Sequence, residues 1–320
     1  MPVSPRPSWL RLIVAASLCP WVGACSRDPR PAPAAGARLE AKIEKVSGAP
    51  VPAGVRIVGR VSRPSRVVLL TSDRHLYFID PLAGKSDRVA IKDAGAEELW
   101  GLAQSTEDSL WTLSGRQRLL ELSPAGRVMR TIPLSEPHLG LFSWKNRLVY
   151  QPVVVESGRP LLETGPPGEE GRGPLGPFAL RPLALPMADV LALSLVTCGS
   201  GDGPDLPCWY RDEARFERVK GEGPSETIDL TGLGVVATQP RSALEIHEAI
   251  RDVYIAEDRV TWVLAGERPG AASAGTGLIR LSALSASLDL PVVARMILQA
   301  SSDSCALLTR DGDILRVTAR

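Results

Sequence analysis

Histidine, cysteine and aromatic residues are scarce in this chain. Its 320 residues include three histidines and five cysteines, and aromatic side chains make up 5% of the composition. Basic and acidic side chains nearly balance, at 37 and 36. A nucleic-acid binder concentrates basic charge on one surface, and the near-neutral balance gives no sign of such a surface. We therefore expect no nucleic-acid partner.

The three histidines are isolated from one another in the sequence. His75, His138 and His247 have no second histidine at the spacing of a metal-binding motif. The pair His247-Glu248 does not start a zinc-binding helix motif, because Arg251 stands where the second histidine would be. No G-x-S-x-G elbow and no Walker A loop occurs. The sequence thus predicts no catalytic residues, no metal site and no cofactor.

A short apolar run lies near the N-terminus. Arg6 and Arg11 precede or begin this region, the run extends over Leu12–Ala24, and no acid occurs before Asp28. A helix that spans a bilayer needs about 20 apolar residues. A positive start, a short apolar middle and small residues at its end are typical of a secretory signal peptide. We predict a signal peptide over residues 1–24.

The four residues Val22-Gly23-Ala24-Cys25 resemble the lipobox of bacterial lipoproteins. The resemblance implies that Cys25 begins the mature chain and carries a thioether-linked diacylglycerol, while Cys19 is removed with the signal peptide. Several acyl chains hold a protein on a membrane, whereas one chain is marginal. By the same resemblance, Ser26 in place of Asp points to the outer membrane, facing the periplasm or the surface. The alternative is an ordinary signal peptide, cut nearby, with Cys25 incidental.

The segment after Cys25 is rich in proline and alanine. Residues Ser26–Gly36 read SRDPRPAPAAG, and Pro29, Pro31 and Pro33 would remove donors from a strand ladder. Such a composition is typical of a semi-extended spacer. The predicted domains are a signal peptide (1–24), a lipidated cysteine with its linker (25–40) and a globular domain (41–320).

Three further cysteines remain for the folded domain. Cys198 and Cys208 flank the turn-rich sequence GSGDGPDLP, which predicts the tip of a hairpin. Export would place the chain in an oxidising compartment, and we predict a disulfide across the neck of this hairpin. Closing so small a loop contributes on the order of 2–3 kcal/mol in the chain-entropy model. Cys305 is then predicted to be a free, buried thiol in a strand over Ser304–Thr309.

Internal similarity is the strongest indication of the fold. Four segments share one pattern, in which an apolar-alternating run, a polar turn and a second alternating run follow one another. They begin at Val68, Leu110, Val260 and Cys305. A period of about 40–45 residues with several short strands per unit is typical of β-propeller blades. We predict an all-β fold, a β-propeller with six or seven blades of four short antiparallel strands each.

The predicted number of blades depends on weaker segments between the second and third repeats. Phe142–Val155 and Leu191–Val219 read as two further hairpins, which makes six units in all, and Thr227–Ile250 would supply a seventh. A pair of β-sandwiches or another antiparallel barrel is the alternative fold.

The run LWTLSGRQRLLELSPAGRVMRTI, at Leu110–Ile132, resembles the repeats of quinoprotein-like, NHL-like and lyase-like propellers. The resemblance covers most of residues 55–320 and implies the fold rather than an activity. The tryptophan-docking motif of quinoproteins is not clearly present, and we interpret Trp100, Trp111 and Trp262 as packing between blades. Lyases of this class use a histidine with a divalent ion above the central channel. His138 is the nearest candidate, although a turn histidine without a metal role is the expectation.

Two function classes fit these observations. The first is a non-catalytic binding or scaffold module, held at a membrane by its lipid and presenting loops to a protein or glycan partner. It is similar in plan to the propeller lipoprotein that scaffolds outer-membrane barrel assembly, although that family has eight blades and this chain is short for eight. The second is a propeller lyase or hydrolase with a polar site at the channel mouth. We prefer the binding module, because the sequence shows no catalytic pairing; ionisable groups converging at one mouth would favour the enzyme.

Overall fold

Strands and turns account for the part of the chain that the structure describes. The computed structural model describes residues 37–47, 50–106, 108–134, 137–144, 147–152, 155–156, 159–160, 163–165, 196–201, 205–211, 213–220, 225–233, 236, 248–267, 275–283 and 285–320. These ranges contain 27 β-strands. No helix that could span a membrane is found among them.

In chain order the strands are β1 Ala37–Arg38, β2 Ala41–Ser47, β3 Ile57–Arg63, β4 Arg66–Thr71, β5 His75–Asp80, β6 Lys85–Ala90, β7 Leu99–Thr106, β8 Ser109–Ser114, β9 Arg118–Leu122, β10 Val128–Pro133, β11 His138–Trp144, β12 Arg147–Pro152, β13 Val155–Glu156 and β14 Arg159–Pro160. They continue with β15 Glu163–Gly165, β16 Val196–Cys198, β17 Ser200–Gly201, β18 Leu206–Tyr210, β19 Arg215–Val219, β20 Glu226–Asp229, β21 Ile250–Ile255, β22 Thr261–Glu267, β23 Thr276–Leu281, β24 Ala286–Asp289, β25 Ala294–Ala300, β26 Ser304–Thr309 and β27 Ile314–Ala319.

The strands form the small antiparallel sheets of a β-propeller. Blade 1 is β3–β6, blade 2 is β7–β10, blade 3 is β16 with β18–β20, blade 4 is β21–β24, and blade 5 is β25–β27 with β2. The strands β1 and β17 extend the two edges of blade 4 as parallel partners. A three-stranded sheet of β11, β12 and β15 follows blade 2 in the chain. The predicted all-β propeller class is therefore confirmed.

The predicted number of blades is wrong. Over the described residues the propeller has five four-stranded blades, not six or seven. The hairpin predicted at Phe142–Val155 forms β11 and β12, which gain only the short strand β15 in their sheet. The segment Thr227–Ile250 forms no unit of its own among the described residues, because Glu226–Asp229 is the outer strand of blade 3 and Ile250 begins blade 4. A hairpin supplies only half of the strands that a blade requires, so the number of hairpins in the sequence does not determine the number of blades.

Each blade is apolar on both faces, as its alternating sequence dictates. Side chains alternate between the two faces of a strand, and blade 1 shows the result. Val67 and Leu69 of β4 pack with residues of blade 5, including Leu308. Val68 and Leu70 pack with residues of blade 2. The outer strand β6, in contrast, is mostly exposed.

Blade 5 is built from the two distant ends of the described chain. The strand β2 pairs antiparallel with β27, with Ala41 opposite Ala319. Lys45 also binds the Asp313 carboxylate at 2.7 Å. Leu39, which lies just before β2, joins an apolar cluster that includes Trp262 of blade 4 and Val317. The first and last strands of the propeller thus close its ring.

The inner strands approach one another closely around the axis. The strand β3 contacts β7, β11, β17 and β25. Gly101 of β7 has a φ of 65°, and a Cβ placed on it would lie 2.8 Å from the Leu141 carbonyl oxygen. Gly59 of β3 would bring a Cβ within 2.5 Å of the Gly101 backbone. Two glycines are therefore required where three inner strands meet.

Gly101→Ala is expected to destabilise the protein by about 3 kcal/mol, because a left-handed backbone costs about 1–2 kcal/mol for alanine and overpacking adds about 1–3 kcal/mol. Denaturant unfolding of the full chain measures the loss. Gly54→Ala is the matched control, since Gly54 has a φ of 82° but nothing within 4 Å of its Cβ position. Equal losses in the two variants would contradict a close approach at Gly101.

Candidate functional site

The predicted disulfide is present. Cys198 and Cys208 are bonded and lie opposite each other in the pairing of β16 with β18. Both are buried. Cys305 is free and buried in β26, as predicted. Burial raises the pKa of the Cys305 thiol well above its usual value, and the negative charge of Asp252 raises it further.

Several residues that the sequence singled out lie outside the described part of the chain. Cys25, Cys19 and the whole predicted signal peptide are among them, as is His247. Of the predicted linker, Ala37–Arg38 forms β1 and pairs with β24.

The described histidines do not assemble a metal site. His138 begins β11, is fully buried, and packs its ring edge-on against Tyr150 with 5.5 Å between ring centroids. His75 begins β5, and its Nδ1 lies 3.2 Å from the Asp73 carboxylate, which Arg88 also approaches. No group of three or more potential ligands occurs within the described ranges. The lyase-like role considered for His138 would require an imidazole open to the channel mouth, whereas this one is enclosed.

A buried ion pair that the sequence did not reveal joins the inner strands. Arg60 of β3 reaches Asp252 of β21, 192 positions away, and the two side chains are 9% and 6% exposed. The pairing is bidentate, since Nη1 and Nη2 of Arg60 bind Oδ2 and Oδ1 of Asp252. Arg60 also donates to the Ile297 carbonyl of β25. One guanidinium thus joins the inner strands of blades 1, 4 and 5.

Both oxygens of the Asp252 carboxylate are occupied by hydrogen bonds. Its Oδ2 accepts the Ile297 N–H at 2.7 Å, and its Oδ1 accepts the Val253 N–H at 2.9 Å. With the two bonds from Arg60, each oxygen accepts two hydrogen bonds. A general base needs an accessible lone pair directed at its substrate. This pair is therefore suited to holding strands together rather than to proton transfer.

Further polar contacts connect the inner strands. Ser62 donates to the Leu298 carbonyl at 2.9 Å, which again connects blade 1 with blade 5. Arg63 donates to the Gln104 side chain at 3.2 Å, and Ser143 accepts the Gln104 N–H at 2.5 Å. Hydrogen bonds thus run from blade 5 through blades 1 and 2 to β11.

We call the end of the propeller at which the inner strands β3, β7, β11, β21 and β25 begin the upper face. Trp100 lies near its rim, only partly buried. The guanidinium carbons of Arg56 and Arg116 lie 4.9 and 5.0 Å from the centroid of its ring. Glu98 in turn binds Arg56. The upper face therefore presents an aromatic ring between charged groups of both signs.

The same rim carries a second charged pair. Glu97 accepts from Arg118 at 2.6 Å and from the Ser114 hydroxyl at 3.2 Å. The hydrogen bond from Arg118 lowers the pKa of the Glu97 carboxyl, and the bond from Ser114 lowers it further. Arg74, from the β4–β5 turn, donates to the carbonyls of Gly95 and Glu97. The rim is a network that connects blades 1 and 2.

The other two tryptophans behave as predicted. Trp111 and Trp262 are buried among blade residues, and their indole N–H groups bind Ser105 Oγ at 3.0 Å and the Ser301 carbonyl at 2.7 Å. Trp100 packs against a cluster shared by blade 2 with β11 and β12, but it is only partly buried and two arginines lie over its ring. Spacing alone could not distinguish it, since all three residues lie in alternating strands.

The ion pair on the axis is expected to be important for stability. Asp252→Asn would leave the Arg60 charge buried without its counterion, and such a loss costs about 3–5 kcal/mol. Denaturant unfolding measures this loss. The double variant Arg60→Met with Asp252→Leu removes both charges and should lose less than the single variant. Arg118→Gln, at an exposed pair, is the control and should cost less than about 1 kcal/mol. If Asp252→Asn cost no more stability than Arg118→Gln, the structural role of the ion pair would be contradicted.

The comparisons with known proteins support the fold. No family model matches the chain, and no curated protein matches it. Among solved structures, a Bacteroides thetaiotaomicron protein of unknown function is 10% identical with a TM-score of 0.50, covering 88% of this chain and 77% of its own. YCF48 from Cyanidioschyzon merolae is 12% identical with a TM-score of 0.49, covering 86% of this chain and 98% of its own. A catalytically inactive Staphylococcus aureus virginiamycin B lyase with quinupristin is 12% identical with a TM-score of 0.48, covering 87% and 99%. At this identity the first likeness concerns the fold alone, and the other two, with TM-scores below 0.5, carry no argument about this chain.

Proposed function

We propose that this chain is a lipid-anchored protein of the bacterial cell envelope whose propeller binds a partner protein at its upper face, without catalysis. The observation that carries the proposal is the rim around Trp100. Tryptophan and arginine are the residues that most often dominate protein–protein binding energy. Here two guanidinium groups cover a partly exposed indole ring.

The rim favours a protein partner over a glycan. Arg56, Glu98, Glu97 and Arg118 provide charges of both signs, which suits a partner with a complementary charge pattern. A sugar ring stacking on Trp100 would first have to displace a guanidinium. The occupied ring therefore argues against sugar binding at this position.

The alternative, a lyase or hydrolase, requires ionisable groups open to a channel mouth. Among the described residues, Arg60 and Asp252 converge on the axis but are bonded to each other and to backbone groups. His138 is enclosed against Tyr150. These observations favour the binding module.

A photo-crosslinking experiment tests partner binding at the upper face. A photoreactive amino acid at Gln117, exposed beside Arg116, should yield a discrete adduct in cells of the source organism. Arg116→Glu should weaken the adduct about tenfold, which corresponds to the roughly 1–2 kcal/mol of a binding hot spot. Arg127→Glu, an exposed position of the same blade, should leave it unchanged.

A second probe position provides the control for specificity. Met129 is 66% exposed on the outer strand β10, and the photoreactive residue there should not give the same adduct. Identical adducts from both positions, or an adduct insensitive to Arg116→Glu, would contradict binding at the rim.

The lipid anchor is tested independently. Cells fed an alkyne fatty acid should label the full chain, and Cys25→Ser should abolish the label, because the thiol is the atom that takes the lipid. Cys19→Ser is the matched control, since this cysteine belongs to the predicted signal peptide; it should retain the label. Undiminished labelling of Cys25→Ser would contradict the anchor.

A further inference from the structure

Three arginines meet at the upper face where blades 4 and 5 adjoin. Arg251 of β21 donates from Nη1 to the Ala294 carbonyl at 2.9 Å. The backbone N–H of Arg310 donates to the Val293 carbonyl at 2.8 Å. Arg295 follows Ala294 directly at the start of β25. The backbone of three consecutive residues thus brings the three arginines together.

Arg295 is the least compensated of the three. Its side chain is part-buried, and the hydrogen bond that the structure gives it is from Nη1 to the Val55 carbonyl at 3.0 Å. No carboxylate of the described residues forms an ion pair with it. Arg251, by comparison, is held by two bonds to the Glu248 carboxylate, at 2.6 and 2.8 Å. A guanidinium has five N–H donors, and most of those of Arg295 have no partner among the described residues.

The electrostatic surroundings of Arg295 are unfavourable to its charge. Burial lowers the pKa of Arg295, the positive charges of Arg310 and Arg251 lower it further, and only Asp311 acts in the opposite direction. Removing a charge from water without a partner is costly. Repulsion between neighbouring guanidiniums adds to that cost, and a bound anion would relieve both.

We propose that Arg295, flanked by Arg251 and Arg310, forms a binding site for a carboxylate or phosphate group. The planar guanidinium fork matches the oxygen spacing of both groups, and such bidentate bonds are charge-assisted and strong. The site lies beside the rim described above, because the Val55 carbonyl that Arg295 binds belongs to the residue before Arg56. Its existence does not depend on the identity of the protein partner.

Thermal unfolding of the full chain tests this site with inorganic phosphate, with succinate, and with chloride at matched ionic strength. Phosphate or succinate at about ten times its dissociation constant should raise Tm by roughly 3 °C more than chloride does. Arg295→Gln should abolish this extra rise. Arg127→Gln is the matched control and should retain it, because Arg127 is exposed and its side chain has no hydrogen bond or ion pair with the described residues.

Without a binding anion, the effect of Arg295→Gln on Tm should have the opposite sign. In chloride alone, Arg295→Gln should melt at or above the wild-type temperature, because it removes the repulsion with Arg251 and Arg310. In phosphate or succinate the order should reverse. An anion-dependent rise that is equal in wild type and Arg295→Gln, or absent from wild type, would overturn the proposal.

If Arg295→Gln fails to fold, a direct measurement of anion binding provides the test. Equilibrium dialysis with radiolabelled phosphate or succinate should find one anion bound per wild-type chain. Arg310→Gln, at an exposed position, should weaken binding severalfold. If the wild-type chain binds phosphate but not succinate, the site is assigned to phosphate groups. If it binds succinate but not phosphate, the site is assigned to carboxylates. Affinity unchanged in Arg310→Gln would overturn the proposed site.

Discussion

The bidentate bond between Arg60 and Asp252 is the contact on which the arrangement of the inner strands depends. Apolar faces hold neighbouring blades together, but hydrophobic attraction has no direction and would tolerate one blade sliding along the next. The guanidinium–carboxylate geometry is directional. Since Arg60 and Asp252 both also bind Ile297, a displacement of blade 1, 4 or 5 would break several bonds at once. The pairing of β25 with β26 is irregular beside Ile297, so the carboxylate also occupies a backbone N–H at a break in the ladder.

A filled axis changes where this propeller can act. Propellers with open channels can place reactive groups inside the ring, but here the inner strands touch one another and their buried polar groups bind each other. The ligand contacts that we propose therefore lie around the upper face. Arginine contributes most of them, at Arg56, Arg116 and Arg295, and each is anchored by a strand start or a tight turn.

Local features of the fold could be read from the sequence, whereas contacts across it could not. Alternation predicted the hairpins of blades 1 and 2, because one strand reports on both of its faces. Turn residues between Cys198 and Cys208 predicted a disulfide that needs only a hairpin to form. The number of blades could not be derived in the same way, because a hairpin is only part of a blade. In blade 5 the fourth strand, β2, also comes from the distant end of the chain.

The candidate sites show the same division. Trp100 can be recognised as a strand residue, but its arginine neighbours come from the residue before β3 and from the β8–β9 turn, through the packing of blades. Asp252 is a buried charge in the strand Ile250–Ile255, where Arg251 is the other charged residue. A buried charge indicates a partner without naming it. Arg60 stands in a similar setting in β3. Charged residues in these two inner strands were the available signal, and only the fold could pair Arg60 with Asp252.

The pairing of β2 with β27 also determines when the structure can be completed. Lys45 and Asp313 are separated by 268 positions, so the ring cannot close until nearly the whole domain has been synthesised. Contacts between such distant segments slow folding. Until they form, β2 and β27 each expose an unpaired edge to neighbouring chains. Blade 1 and blade 2, whose strands pair with their immediate neighbours in sequence, can assemble earlier. The chain is therefore most prone to aggregation between the synthesis of β2 and the synthesis of β27, while these edges are unpaired.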